Sequence, residues 1–193
     1  MFHKPSEKFP QLVSINISAG GIPKSAVCSA KLTKDGLAGD GHNHEKHRTP
    51  LQAISLQDGE ILDKLTREGF SLSPGTTGEN LTVRSCDVNH LPVGTILEFE
   101  YGVVLELTKV RKPCYVLDQI DPHLKDVIGG RCGLYAKVLQ EGILRREETM
   151  EIIYSIGNFL VPKADLPPLA GRAPPSGPSP SGRGQAEVSD TIK

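Results

Sequence analysis

The sequence contains no tryptophan, and aromatic residues make up only 5% of its 193 positions. Platforms that stack the bases of single-stranded nucleic acid depend on such rings. A net charge of -1 supplies no field to attract a phosphate backbone or an acidic membrane surface either. A nucleic-acid partner is therefore not expected. No apolar run is long enough to cross a bilayer. The opening stretch MFHKPSEKFPQLVSINIS lacks a basic region leading into an apolar run and a small-residue cleavage site. These absences point to a cytoplasmic protein with no membrane partner. The four cysteines, Cys28, Cys86, Cys114 and Cys132, form no Cys-x-x-Cys pair, which speaks for reduced thiols rather than a disulfide framework or a four-cysteine zinc site. A Walker A loop, a GxGxxG placed between strand and helix, a GxSxG elbow and an HExxH helix are all missing.

What the chain does contain is enough apolar material, 37% of its residues, for one domain with a real core. Composition then changes abruptly. Seven of the 15 prolines fall between Pro162 and Pro180, among repeated Gly and Ser. Such a segment cannot bury enough apolar surface to offset its conformational entropy. The expected organisation is a folded domain over 1–162 and a disordered Pro/Gly/Ser-rich tail over 163–193.

Within the domain, short runs alternate apolar and polar residues: 12–18, 27–33, 50–56, 80–85, 95–100, 103–110, 133–140 and 150–154. The runs at 95–100 and 103–110 flank Tyr101-Gly102, a hairpin signal. One helix is expected over 58–70, with Ile61, Leu62 and Leu65 on its apolar face and Gly69 as terminator. A shorter one is expected to start near Cys114 and to be interrupted by Pro122. Many strands, Gly-rich turns and a few short helices predict a mostly β, barrel-like or sandwich-like domain.

Chemistry concentrates in three places. The first is TKVRKPCYVLDQI (108–120), where Cys114 follows Arg111, Lys112 and Pro113 at a strand exit. Pro113 has no N–H and holds Lys112 extended. Nearby cations or a helix start would favour the reactive thiolate; a buried, packing cysteine is the other reading. The second is DGLAGDGHNHEKHRTPLQAISL (35–56), a Gly-punctuated loop with Asp40, His42, His44, Glu45, His47 and Arg48. Backbone N–H groups and Arg or His charge suit an anion, His-x-His-x-x-His beside acids suits zinc, and a polar surface loop explains the same residues. The third comprises Gly78-Glu79-Asn80 and Gly129-Gly130-Arg131, where glycines allow backbone to approach a ligand and Arg131 can fork onto an anion. Tight turns account for both equally well. Cys132, beside a strand start, reads as packing, as do Cys28 and Cys86.

In this order, ISAGGIPK (17–24), GLAGDGHNHEKH (36–47), GTTGENLTV (75–83), KPCYVL (112–117) and GRCGLYAKVLQEGILRREE (130–148) resemble the MOSC domain, named for the C-terminal part of molybdenum-cofactor sulfurases. The likeness covers nearly all of 11–156. It implies a barrel-like fold and a role with the molybdenum cofactor (molybdopterin), as binder or as carrier of sulfur destined for it. By the same resemblance Cys114 is the expected persulfide site. Lys24, Asp40, His42, His47, Arg48, Gly78, Glu79, Asn80, Arg111 and Arg131 form the expected cofactor-binding set, and no metal-ligand set is expected. Many stand-alone members carry His-His-Gly-Gly after the histidine loop, where this chain has His47-Arg48-Thr49-Pro50, which suggests a shorter subgroup. The pyridoxal-phosphate desulfurase domain of full sulfurases has no counterpart in this sequence. A cysteine desulfurase is thus the expected sulfur source, and a molybdoenzyme or cofactor-synthesis protein the expected acceptor. Two other functions remain open at this point: non-covalent binding and escort of the cofactor, and a zinc hydrolase built on His42, His44 and His47.

Overall fold

In the first strand, β1 (Gln11–Ile17), Leu12 is fully buried between half-buried Gln11 and Val13, and past an irregularity at 12–14 Ser14, Ile15 and Asn16 are all buried. The logic of one face inward and one outward builds most of the molecule. The computed structural model describes residues 9–41, 49–156 and 159–162. After β1 come β2 (Ser25–Val27), β3 (Ser29–Thr33), β4 (Gly36–Leu37), β5 (Ile54–Asp58), helix α1 (Gly59–Arg67) and β6 (Leu81–Arg84). They are followed by β7 (Ile96–Phe99), β8 (Val104–Val110), α2 (Leu124–Val127), β9 (Leu134–Gln140), β10 (Gly142–Arg145), β11 (Met150–Ile156) and β12 (Phe159–Pro162).

Nine strands join in the order β12-β11-β7-β8-β9-β5-β6-β1-β2, and β10-β3-β4 form a smaller sheet. Among the described residues every strand pairing is antiparallel except β5 with β6. That exception follows from connectivity, because α1 carries the chain across between two adjacent strands. The large sheet curls until the start of β1 meets the turn before β11. There Leu12 N donates to Glu148 O at 3.0 Å, Glu147 N to Leu12 O at 2.7 Å, and Met150 N to Pro10 O at 3.0 Å. The result is mostly β and barrel-like, without full closure.

The main core lies inside this curl and includes Ile54, Leu56, Leu81, Val83, Leu97, Phe99, Leu105 and Leu107. A second, smaller cluster of Leu65, Leu117, Leu124, Ile128 and Cys132 sits beneath α1 and the 114–132 segment. Its place in the fold matters, because it underlies the strand exit that carries Cys114.

The expected strands are present with three differences. The run at 27–33 is split at Cys28 into β2 and β3, and β2 pairs with β1 while β3 pairs with β10. The run at 50–56 starts as a 3-10 turn at Pro50–Gln52, since the ring of Pro50 fixes φ and withholds a donor, and strand begins only at Ile54. Strands β4, β10 and β12 fall outside the expected set; β10 has one fully buried residue, Leu144, too weak a period-2 signal. The hairpin at Tyr101-Gly102 is present, with Gly102 at φ +87 and its N–H on Phe99 O at 2.8 Å. Helix α1 is shorter than 58–70. It ends at Arg67, and Gly69 takes φ +109 while Phe70 N caps Leu65 O. The expected tail over 163–193 lies outside the described residues.

Candidate functional site around Cys114

Strand β8 pairs with β9 up to Val110 opposite Leu134, and Arg111 N still donates to Gly133 O at 3.0 Å. Pro113 then ends the ladder for want of an N–H. Cys114 follows in extended geometry and is exposed. The expected helix beyond it is only a 3-10 turn, Tyr115–Gln119, with α2 a single further turn after Pro122. Five residues of 3-10 structure provide little dipole, so the expected helix start is not available to this sulfur.

The Arg111 guanidinium and Lys112 both line the space beside Cys114, and the guanidinium is held in place. It donates from Nη1 to Cys132 O at 2.9 Å and from Nη2 to Thr77 O at 3.0 Å, and it lies over the Tyr135 ring at 5.8 Å. A guanidinium has five N–H donors, so N–H capacity remains beyond these two bonds. Thr77, Arg111, Lys112, Cys114, Leu117, Ile128 and Cys132 enclose a cavity of about 20 Å³. A space of that size admits one water-sized atom. Cys132 is 5% exposed, and burial pushes its thiol above the ordinary range while the Arg111 charge pulls the other way. Its Sγ lies 3.5 Å from Ile128 O.

A second group stands beside this one. The ammonium of Lys24 pairs with Asp40, whose side chain is 2% exposed. Asp40 also accepts Ser18 N at 2.9 Å and Asn80 Nδ2 at 2.8 Å. Burial holds the Lys24 ammonium below the usual lysine range; Asp40 opposes that and Arg111 adds to it. Glu79, fully buried, accepts Gly75 N and Thr77 Oγ1 at 2.7 Å and Thr82 Oγ1 at 2.9 Å. The 75–79 loop is thus tied by Glu79, touches Lys24 through Lys24 N to Gly75 O at 2.9 Å, and presents Thr77 O to Arg111. A Cβ at Gly78, φ +80, would lie 2.7 Å from Ile22 Cγ2. That glycine serves loop packing.

The structure therefore brings Lys24, Asp40, Glu79, Asn80, Gly78 and Arg111 into one connected network and sets Cys114 and Cys132 at its edge. Arg131 is placed differently. Its fork is taken by Glu68, at 2.8 and 3.0 Å, and by Val127 O at 2.7 Å, which ties the end of α1 to α2. His42, His44, His47 and Arg48 lie outside the described residues. Among the described residues no group of three or more His, Cys, Asp or Glu is placed to hold a metal ion. Sequence reasoning missed Thr77 and assigned Cys132 to packing alone. Cys132 does pack in the small cluster, and it also faces the Cys114 cavity. The Val110–Leu134 pairing carries that information, because continuing it two residues brings position 132 beside the strand exit.

No helix among the described residues is long and apolar enough to cross a membrane. Comparison with known proteins bears on the fold and the family. The YuaD protein from Bacillus subtilis superimposes with a TM-score of 0.65 at 17% identity, covering 75% of this chain and 96% of that one. YiiM from Geobacillus stearothermophilus gives 0.61 at 24%, covering 75% of each chain. YiiM from Escherichia coli gives 0.62 at 20%, covering 80% of this chain and 74% of that one. At these identities the likeness shows a shared fold. No curated protein sequence matches the chain. The family model for the MOSC domain matches residues 40–151, more than half of the chain and a span holding Asp40, the 75–80 loop, Arg111, Cys114 and Cys132. With motif order, curled sheet and family match in agreement, the chain belongs to the MOSC domain family.

Proposed function

We propose that the protein carries sulfane sulfur on Cys114 and delivers it to a molybdenum–pterin cofactor, the ligand with which MOSC domains are associated. One observation carries this reading: an exposed thiol at a strand exit opens on a one-atom cavity beside the Arg111 guanidinium. A persulfide places one additional sulfur, as an anion, next to its cysteine, and a guanidinium with spare N–H donors stabilises such an anion.

The residues around Cys114 fit a sulfur terminus and do not enclose a pterin. Ligand pockets for molecules of that bulk measure roughly 300–1,000 Å³, against about 20 Å³ beside Cys114. The cofactor is accordingly an acceptor that meets Cys114 from the open side. Lys112, exposed and without an ion pair among the described residues, adds positive charge there for its phosphate. The Gly-rich loop carrying His42, His47 and Arg48 adjoins Asp40 in sequence and completes the proposed binding set.

In the loading step the Cys114 thiolate attacks the terminal sulfur of a persulfide on a cysteine desulfurase. A new S–S bond forms, the donor's S–S bond breaks, and the donor leaves as thiolate and takes up the proton. Delivery repeats this with a cysteine thiolate of the acceptor, a molybdoenzyme or a cofactor-synthesis protein, attacking the outer sulfur and Cys114 leaving as thiolate, so the sulfur reaches the cofactor's protein still at the sulfane level. To test it, the full chain is incubated with a cysteine desulfurase and labelled cysteine, then digested and mapped by mass. The expected result is one extra, thiol-labile sulfur on Cys114 and none in Cys114→Ser. An unmodified Cys114, under conditions that load a known carrier, refutes the carrier role.

A further inference from the structure

We infer that Cys132 is a resolving thiol for Cys114: the two residues line one small cavity and their sulfurs can be joined as a disulfide. The inference deepens the carrier reading and rests on it for its discharge step, while the disulfide itself does not. Four observations support the pair. Both cysteines line the same cavity of about 20 Å³. One cation borders both, since Arg111 holds Cys132 O at 2.9 Å and lines the cavity they share. Their exposures differ: Cys114 is open to solvent, whereas Cys132 is 5% exposed among Leu65, Leu117, Leu124 and Ile128. Their backbones differ too. Cys132 is fixed by Arg111 at its carbonyl and by Asn89 Oδ1 on the next amide, Gly133 N, at 2.7 Å. Cys114 lies beyond the last ladder bond, after a proline.

A disulfide needs the two Cα atoms within about 7 Å. The segment at 112–114, free of ladder bonds, is the part able to supply any shift. The exposed partner meets the sulfur donor and the buried partner is shielded from it. Reagents in solution therefore reach Cys114 first.

The discharge step balances without an oxidant. The Cys132 thiolate attacks Sγ of persulfidated Cys114, the Sγ–Sγ bond forms, and the bond from Cys114 Sγ to the outer sulfur breaks. Hydrosulfide leaves and takes the proton that Cys132 lost. The two protein thiols end as a disulfide, oxidised by the sulfane sulfur, which is reduced to sulfide. An external dithiol restores them. A loaded carrier that finds no acceptor thus unloads itself.

Two arms test this on the full chain. In the first, the reduced protein is treated with diamide, which accepts the two electrons and two protons of disulfide formation, and peptides are mapped without reduction. A Cys114–Cys132 peptide pair is expected, and it must vanish in Cys132→Ala and in Cys114→Ser. Its absence from the wild-type protein overturns the proposal whatever becomes of sulfur loading. In the second, protein loaded by inorganic polysulfide is desalted and followed over time. Wild type is expected to lose the extra sulfur and two hydrogens and to release sulfide; Cys132→Ala is expected to keep its adduct at least tenfold longer. Equal adduct lifetimes in the two proteins overturn the resolving role while the carrier reading stands. If Cys114 does not load but the disulfide forms, the carrier reading falls and the thiol pair stands. Cys132→Val, which fills the apolar site, repeats both arms should the alanine variant lose its fold by circular dichroism.

Discussion

Lys24 is the residue whose replacement separates structural from ligand-facing charge most cleanly. Its side chain is 10% exposed and its partner Asp40 only 2%, so Lys24→Met leaves a buried carboxylate with two neutral donors, Ser18 N and Asn80 Nδ2. Breaking a buried pair from one side costs about 3–5 kcal/mol because the remaining charge stays desolvated. The two surviving hydrogen bonds put the expected loss near the lower end, about 3 kcal/mol. Neutralising the partner as well, in Lys24→Met/Asp40→Asn, removes the stranded charge, so at least half of that loss should return as a coupling energy of about 1.5 kcal/mol or more. Urea unfolding of the wild type, both single variants and the double variant measures this, with an unchanged m-value as the check on two-state behaviour. A single-variant cost below about 1 kcal/mol is what an exposed pair gives. That outcome refutes the buried-network account and returns Lys24 to the pool of free cations.

Two further outcomes follow from the packing. Gly133 has φ +81, and a Cβ there would lie 1.8 Å from Leu56 O, inside the β5–β9 pairing; Gly133→Ala should cost at least about 3 kcal/mol, read as a fall in the urea midpoint. Glu148 is 3% exposed and accepts Arg145 N at 3.0 Å, and its Oε2 has no hydrogen-bond partner within bonding geometry among the described residues. Burial raises its carboxyl above the ordinary 4.5, so the folded state holds the proton longer than the unfolded chain. Its contribution is fully present below 4.5 and is lost as pH rises through the raised folded value. Glu148→Gln should therefore flatten the decline in urea midpoint between acid and neutral pH, and an unchanged pH profile counters the assignment.

Periodicity made the fold legible wherever a strand had one wet face. VVLELTKV shows its alternation plainly and is a long strand in the sheet; LVSINI alternates in sequence, yet its Ser14, Ile15 and Asn16 are all buried. It failed where pairing rather than pattern defines the element. Strand β4 is two residues, Gly36–Leu37, held by Leu32 and Thr33; no local signal marks so short a piece. The split at Cys28 arises because β1 and β10 claim successive halves of one run for different sheets, which is a tertiary decision. The site was legible as residue types and opaque as partners. Arg111, Lys112 and Cys114 are visible as a cation-flanked thiol. That Arg131 would find Glu68, and Lys24 would find Asp40, depends on contacts 63 and 16 residues apart in sequence.

The arrangement of the two apolar clusters suits the proposed placement of a sulfur carrier at 114 rather than within a strand. The main core is closed by strand pairing, and its largest side chains are fully buried; a sulfur atom added there would overpack it. The small cluster beneath α1 and the 3-10 turn has few members and one of them is Cys132. Pro113 ends the β8 ladder just before Cys114, so the proposed gain, donation or sharing of a sulfur there would break no bond between strands. Arg111, three residues earlier, still belongs to the ladder through Gly133 O and stays in place as Cys114 moves. On the proposed carrier reading, a fixed cation beside a movable thiol would keep stabilisation of the sulfur anion independent of whether the partner at that moment is a donor, an acceptor or Cys132.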